Sequence, residues 1–238
     1  VNGSGDVTLT GDEKKYQNAN LSYFGRFNYD YDGRYLLELN GRYDGSSKFL
    51  PENRWDLFYG VSLGWRIKEE SFLQKVDWLS DLKLRLSYAE VGNQSGIGNY
   101  DGVQLYNLVA AGDDGAYIGS NKLSYIKTNG TLASTTRSWE RIKNYNVGVD
   151  FGFLNGSLTG SVEAFNNMLV SVTFPGTLGD SAPKANAGKF KGWGYEGQLN
   201  YRNRIGDVNY HIGGTFTFAR NELVDYGGTT VLKSGYVQ

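Results

Sequence analysis

The chain has 238 residues, with 24 Lys and Arg against 25 Asp and Glu and no cysteine. Its near-neutral charge and scattered basic residues argue against a nucleic-acid partner, and without cysteine it has no disulfide framework and no thiol nucleophile. Gly is 33 and Tyr 18 while Pro is only 3, which favours strands over helices. The length fits a single all-β domain over residues 1–238.

Eight segments alternate apolar and polar side chains, which predicts strands with one apolar face. They cover residues 20–31, 34–44, 55–67, 82–91, 139–154, 157–166, 193–203 and 208–220. Asp32-Gly33 and Asn155-Gly156 are tight hairpin signals between neighbouring segments. The pattern predicts an antiparallel up-and-down meander, although a soluble β-sandwich shows the same alternation.

The connections between these segments alternate in length. The odd-numbered ones are short or moderate, whereas the even-numbered ones, 45–54, 92–138 and 167–192, are longer. In a meander the two sets lie at opposite ends of the sheet, so one end is tight and the other carries long loops. Outer-membrane barrels have this polarity, with short periplasmic turns and long extracellular loops.

Aromatic side chains on the apolar faces gather near both ends of the strands, as expected at two membrane–water interfaces. We predict a lipid-facing aromatic girdle made, near the tight end, of Tyr29, Tyr31, Tyr35, Trp65, Phe151, Phe153, Tyr201 and Tyr210, and, near the long-loop end, of Trp55, Tyr43, Tyr88, Tyr145 and Trp193. The opposite faces carry mixed charge, which suits a polar lumen. The charged residues assigned to that face are Arg26, Glu38, Arg42, Arg85, Glu196 and Arg202.

Eight strands can close into a small barrel, in which the first would pair with the eighth. Eight complete strands, however, place both termini at the long-loop end, whereas a barrel inserted from the periplasm keeps its termini on the short-turn side. We therefore expect part of the wall of a larger transmembrane barrel.

Several stretches resemble the SusC/RagA-like TonB-linked outer-membrane transporters. They are 35–49 (YLLELNGRYDGSSKF), 63–67 (LGWRI), 82–88 (LKLRLSY) with 91–94 (VGNQ), 144–151 (NYNVGVDF), 186–188 (NAG) and 192–196 (GWGYE). They follow the family's order over residues 20–220. The resemblance implies about eight strands of a barrel of about 22, in the bacterial outer membrane, without the N-terminal plug domain.

The resemblance also implies a function and partners. Such transporters import oligosaccharides or peptides with energy passed on by TonB, which contacts the N-terminal part, and a SusD-like surface lipoprotein covers the extracellular mouth. No enzymatic activity and no cofactor are expected. The residues alone leave one alternative, a soluble or surface β-rich carbohydrate-binding or adhesion module, which would bury its apolar faces in a closed core.

Candidate binding residues are few. His211 is the only histidine, so no histidine-based metal cluster is possible, and we expect it in the barrel wall. Asp113-Asp114-Gly115 lacks the spacing of a calcium loop and predicts a solvated acidic turn. Arg141 and Lys143 lie on the outward face above Tyr145, which suggests a contact with the head groups of lipid or lipopolysaccharide.

Four tyrosines in the longest connection offer rings on which a sugar can stack. They are Tyr100, Tyr106, Tyr117 and Tyr125, which are candidate substrate-binding residues. Loops carry recognition on a rigid scaffold, and packing within the loop explains these rings equally well.

Overall fold

A computed structural model describes residues 17–109, 116–118, 121–128, 133–174 and 185–225, and strands dominate them. The strands are β1 (Asn20–Tyr31), β2 (Tyr35–Ser46), β3 (Trp55–Arg66), β4 (Leu79–Asn93), β5 (Tyr106–Val109), β6 (Ala116–Ile118), β7 (Asn121–Leu123), β8 (Tyr125–Thr128), β9 (Glu140–Phe153), β10 (Leu158–Phe174), β11 (Ala185–Ile205) and β12 (Val208–Asp225). Single 3-10 turns cover Pro51–Asn53 and Ile67–Glu69. None of the helices in these described ranges is long and apolar enough to cross a membrane.

The eight long strands form one sheet in the order β1-β2-β3-β4-β9-β10-β11-β12, and each long strand pairs antiparallel with the next. This is the predicted meander. β1 and β12 are the two edges of the sheet and do not pair with each other within the described residues. The interpretation as an autonomous eight-stranded barrel, which required that pairing, is therefore wrong.

Tight turns close one end of the sheet. Asp32 and Gly33 both have positive φ, at 55° and 63°, the backbone of the turn that best matches the twist of a hairpin. Asn155 and Gly156 are left-handed as well, at 53° and 78°. Both predicted hairpin signals therefore lie at turns.

β10 and β11 are longer than predicted. Residues 167–192 were expected to form a loop, yet the two strands pair from Asn167↔Gly192 as far as Phe174↔Ala185. Backbone hydrogen bonds hold the two strands together and do not depend on side-chain type. The pairing therefore continues beyond the point where apolar and polar side chains stop alternating. Residues 175–184 lie outside the described part of the chain.

The longest connection also contains strands that the sequence did not predict. β5 pairs with β8 and β6 with β7, in two short antiparallel ladders. Segments of three or four residues are too short to show a period of two, which explains the missed prediction. Asp113-Asp114-Gly115, expected to form a solvated acidic turn, fall outside the described residues.

The two faces of the sheet differ in what covers them. Among the described residues no second layer lies over the apolar face, whose large side chains are about half exposed. Examples are Leu57, Leu63, Val147, Val162, Leu199 and Phe216. A soluble β-sandwich packs such a face against another sheet. The closed core expected of a soluble module is therefore not formed by these residues.

One small apolar cluster is buried at the long-loop end. It consists of Phe49, Phe58, Ile97 and Trp139, each at most 6% exposed. Trp139 packs edge-on against Phe58 at 5.7 Å between ring centroids, and its indole nitrogen donates to the Arg54 carbonyl at 3.1 Å. The sequence placed Phe58 on the mostly polar face; it is the anchor on which the second and fourth connections pack.

Candidate functional site

Rings line the outward face near the tight end. Tyr35 stacks on Trp65 at 6.4 Å and contacts Tyr31 at 6.3 Å. Further along the sheet the neighbouring ring pairs are Phe151–Phe153, Trp78–Phe153 and Tyr201–Tyr210. Trp78 was missed from the sequence because it lies in a connection, where no alternation marks it.

A second set of rings lies near the long-loop end. Trp55 stacks between Tyr43 and Tyr23, at 5.0 and 6.1 Å. The other ring contacts of this set are Tyr59–Tyr88, Tyr88–Tyr145, Trp193–Tyr195 and Trp193–Phe218. Trp55 and Trp65 stand roughly 33 Å apart along β3, which in a strand tilted by about 40° spans roughly 25 Å, the height of an outer-membrane apolar band.

A buried carboxylate forms hydrogen bonds with several elements at the tight end of the sheet. Glu70, in the connection between β3 and β4, is 8% exposed. Its Oε1 accepts hydrogen bonds from the Tyr35 hydroxyl at 2.5 Å and the Trp65 indole nitrogen at 3.0 Å, and its Oε2 accepts from Arg34 at 3.3 Å. One side chain thus joins the first turn, β2 and β3 to the third connection.

These contacts shift the titration of the two charged groups. The hydrogen bonds from Tyr35 and Trp65, together with the nearby Arg34 charge, hold the pKa of the Glu70 carboxyl below its ordinary value. The hydrogen bond to Asp32 raises the pKa of Arg34 above its ordinary value. Both groups therefore remain charged near neutral pH, and the ion pair between them persists.

The inward face carries an ion-pair network at mid-height. Arg85 on β4 binds Asp150 on β9 through two parallel hydrogen bonds, at 2.8 and 2.9 Å, and reaches Glu163 on β10 at 3.2 Å. Asn146 donates a further hydrogen bond to Glu163. A Cβ at Gly148 would lie 2.9 Å from the Arg85 guanidinium, so the glycine leaves room for it against the wall.

Arg141 and Lys143 lie beside carboxylates of the barrel wall. Arg141 donates to Asp56 at 2.6 Å and also to Glu90, and Lys143 lies 3.7 Å from Glu90. Arg141 also covers the Phe58 ring. The β3–β4 ladder ends at Gly60↔Ala89, so these charges bridge strands that have parted.

The other predicted site residues lie in the longest connection and on β12. Tyr100 and Tyr106 are exposed in the longest connection, and Tyr125 on β8 is half-buried. Tyr117 lies in β6. His211 is exposed on β12, with its ring 3.3 Å from the Asn200 side-chain oxygen.

No metal centre is evident among the residues that the structure describes. None of them form a group of three or more His, Asp or Glu side chains suited to a metal ion. What the geometry does define is a wall with one apolar and one polar, charge-compensated face.

A single meander sheet of this kind, apolar outside between two sets of rings and polar inside, is the wall of an outer-membrane β-barrel. The chain belongs to the TonB dependent receptor-like β-barrel family, whose model matches residues 1–236. It is therefore part of an outer-membrane protein, and the resemblance to SusC/RagA-like transporters is confirmed.

Named relatives agree with this family. The TonB-dependent receptor SusC of Bacteroides thetaiotaomicron is 35% identical over 230 residues, covering 89% of this chain and 21% of the relative. The TonB-dependent receptor P26 of Formosa agariphila is 32% identical over 225 residues, covering 92% and 22%. The chain thus spans about a fifth of the length of these relatives.

Solved structures share the fold as well. The RagAB peptide importer in its open-open state matches with a TM-score of 0.78 at 27% identity, covering 92% of this chain and 24% of the other. The closed-closed state matches with 0.72 at 28% identity, covering 87% and 22%. These neighbours share the outer-membrane barrel fold rather than the fold of a soluble β-sandwich.

Proposed function

We propose that this chain is barrel wall in an outer-membrane importer that takes up peptides or oligosaccharides with energy supplied through TonB. The observation that carries the proposal is the two-faced sheet, with Leu63 about half exposed on one face and the Arg85 network on the other. An apolar band facing lipid and a polar, charge-compensated lumen suit a wide solute pathway. The chain acts as wall and lining, with no enzymatic step of its own.

The long-loop end is where a surface partner would bind. The cluster around Phe58 and Trp139 holds the second and fourth connections to the barrel wall, which supports a rigid platform there. In this proposal a SusD-like surface lipoprotein docks on that platform, and TonB acts through the N-terminal part of the transporter. The likeness to the structures of the RagAB peptide importer supports the assignment by analogy.

The aromatic girdle is proposed to contact lipid. Its rings occupy two levels of the outward face, and Trp55 and Trp65 mark the distance between them. Tyr and Trp prefer this interfacial position because the ring is apolar and its polar tip can reach water. Lipid or lipopolysaccharide contact is therefore assigned to the rings rather than to Arg141 and Lys143, whose charges are compensated within the wall.

The exposed loop tyrosines are proposed to contact cargo. Tyr100 is 46% and Tyr106 63% exposed, so both rings are accessible at the side from which cargo would enter. Tyr125 is less exposed and Tyr117 lies within β6. Replacing Tyr106 by Ala would lower import of an oligosaccharide more than import of a peptide if sugar stacking is its role.

Deletion of the gene in its native host tests the importer function. Uptake of fluorescently labelled short peptides and of labelled oligosaccharides is compared between the wild type, the deletion strain and a strain lacking TonB. We expect one cargo class to be lost in both mutants and restored by the intact gene. Unchanged uptake of both classes in the deletion strain would contradict the proposal.

A further inference from the structure

Arg42 occupies a distinctive place on the inward face. It lies on β2 in the half nearer the long loops, directly opposite Phe24 on β1 and Phe58 on β3. Phe58 is buried beneath the loops, whereas Phe24 is 85% exposed, although both share the polar face of the sheet. Phe24 therefore places an exposed apolar ring beside an arginine on the inward face.

The guanidinium of Arg42 is held along one edge. Its Nε donates to Oδ1 of Asp44 at 2.6 Å, and the Asp44 side chain is only 7% exposed while that of Arg42 is 63% exposed. A guanidinium is a rigid planar fork with five donors, and among the described residues only the Nε of Arg42 has a hydrogen-bond partner, so the donors of its two terminal nitrogens remain available on the inward face. That free edge matches the two oxygens of a second carboxylate.

The space in front of this edge is large enough for part of a solute. A cavity of about 440 Å³ has Asn20, Ser22, Asn40 and Arg42 in its lining. A second, more open concavity of about 1040 Å³ adjoins it and is lined by Phe24, Arg26, Asn40 and Arg42. Amide and hydroxyl groups therefore surround the arginine on the lumen side.

The carboxylates lining the smaller cavity are engaged by partners. Asp44 binds Arg42, and Glu90 accepts from Tyr88 and from Arg141, with Lys143 nearby. A cargo carboxylate could therefore accept hydrogen bonds from Arg42. Both carboxylates among the described lining residues are paired with cations, so their repulsion of the cargo is weak. Glu38 lies 3.9 Å from Arg26, which offsets the charge of that neighbour.

We propose that Arg42, oriented by Asp44, binds a carboxylate group of the imported solute, with Phe24 in contact with the apolar part next to that group. The inference rests on the proposed importer function. The carboxylate belongs either to a peptide or to an acidic sugar. Bidentate pairing with an arginine distinguishes such a solute from its neutral analogue.

The test measures binding to the full-length transporter, purified in detergent with its surface lipoprotein, by titration calorimetry. Two matched ligand pairs are used: a short peptide with a free C-terminal carboxylate against the same peptide amidated, and an oligogalacturonate against a neutral oligosaccharide of equal length. The wild type should prefer the anionic member of one pair by about tenfold or more. The pair that shows the preference identifies the source of the carboxylate.

Three variants separate the role of Arg42 from general charge. Arg42→Gln should abolish the preference while leaving affinity for the neutral member within about twofold of the wild type. Arg42→Lys should retain part of it, because lysine keeps the charge but lacks the fork. Arg202→Gln, a change at another exposed arginine of the inward face, should preserve the preference and serves as the matched control.

Several outcomes overturn the proposal. A preference that survives Arg42→Gln, or a wild type with no preference in either pair, removes the carboxylate site while leaving the importer function intact. Equal weakening of anionic and neutral ligands by Arg42→Gln would assign Arg42 to a contact within the transporter or its lipoprotein instead. A wild type that binds neither peptides nor oligosaccharides contradicts the importer function itself, and the site with it.

Discussion

Arg85 on β4 lies diagonally across from Asp150 on β9, since the register pairs Arg85 with Gly148, and the two side chains share two hydrogen bonds, Nε to Oδ2 at 2.8 Å and Nη2 to Oδ1 at 2.9 Å. The same guanidinium reaches Glu163, which is registered directly opposite Glu196 on the next strand. Like charges in opposite positions destabilise a sheet. Arg85 therefore neutralises a part of the lumen wall where three carboxylates would otherwise repel one another.

Removal of this cation is expected to weaken the wall. Arg85→Gln leaves Asp150 and Glu163 without their shared positive charge, and we expect the free energy of unfolding to fall by about 1 to 2 kcal/mol, since the side chains are about a third exposed. Urea unfolding of the full-length transporter in lipid vesicles measures the change. Arg202→Gln, at an exposed arginine of the same face, should change it by less than about 0.5 kcal/mol; equal losses would contradict the network.

The assignment of the outward face to lipid predicts an asymmetry between adjacent residues. Val61 lies on the outward face close to halfway between Trp55 and Trp65, and Ser62 lies on the opposite face. Val61→Arg should cost about 2 to 4 kcal/mol, because a charge near the bilayer midplane loses its hydration. Ser62→Arg, which faces a polar lumen, should cost far less. The measurement is again vesicle unfolding, and a similar cost for both variants would refute the assignment of faces.

The close approach of Gly92 to Phe58 predicts a steric effect. A Cβ at Gly92 would lie 2.3 Å from the Phe58 ring, so Gly92→Ala must displace the ring that anchors the loop cluster. We expect a loss of about 1 to 3 kcal/mol, typical of overpacking, and faster proteolysis within the fourth connection. Gly41→Ala is the control, since nothing lies within 4 Å of its Cβ position. Equal protease sensitivity in both variants would disprove the anchoring role.

Glu70 predicts a pH dependence at the tight end. Because its folded-state pKa lies below the ordinary value of 4.5, the stability it contributes is fully present above pH 4.5 and is lost as the pH falls through the lower folded-state pKa. Glu70→Gln should therefore lose part of its stability at neutral pH and show a shallower decline on acidification. Thermal unfolding of wild type and variant between neutral pH and strong acid gives the comparison. If the melting temperatures of wild type and variant fell equally with pH, Glu70 would not contribute to the pH dependence of stability.

The period-two pattern located all eight long strands and their order, because alternation is a local property of a sheet with one apolar face. The pattern did not predict the strand segments in which apolar and polar side chains do not alternate. β10 and β11 extend past Asn167 and Gly192 on backbone hydrogen bonds alone, and β5 to β8 are too short to show a period. The pattern assigned no role to Phe24 and placed Phe58 on the polar face, because the sequence does not show which residues pack against a given side chain.

By itself the sequence determined the strands, the polarity of loop lengths, the positions of the rings and, through shared motifs, the family. These depend on residue types at fixed spacing along one chain. The tertiary structure decided which charges meet: that Arg141 is compensated by Asp56 and Glu90, that Glu70 joins three elements, and that Asp44 orients Arg42. The contacts of Arg141 and Glu70 join residues that are distant in the chain and are brought together by the pairing of strands and the packing of turns, whereas the contact of Asp44 with Arg42 depends on side-chain geometry that the sequence does not specify.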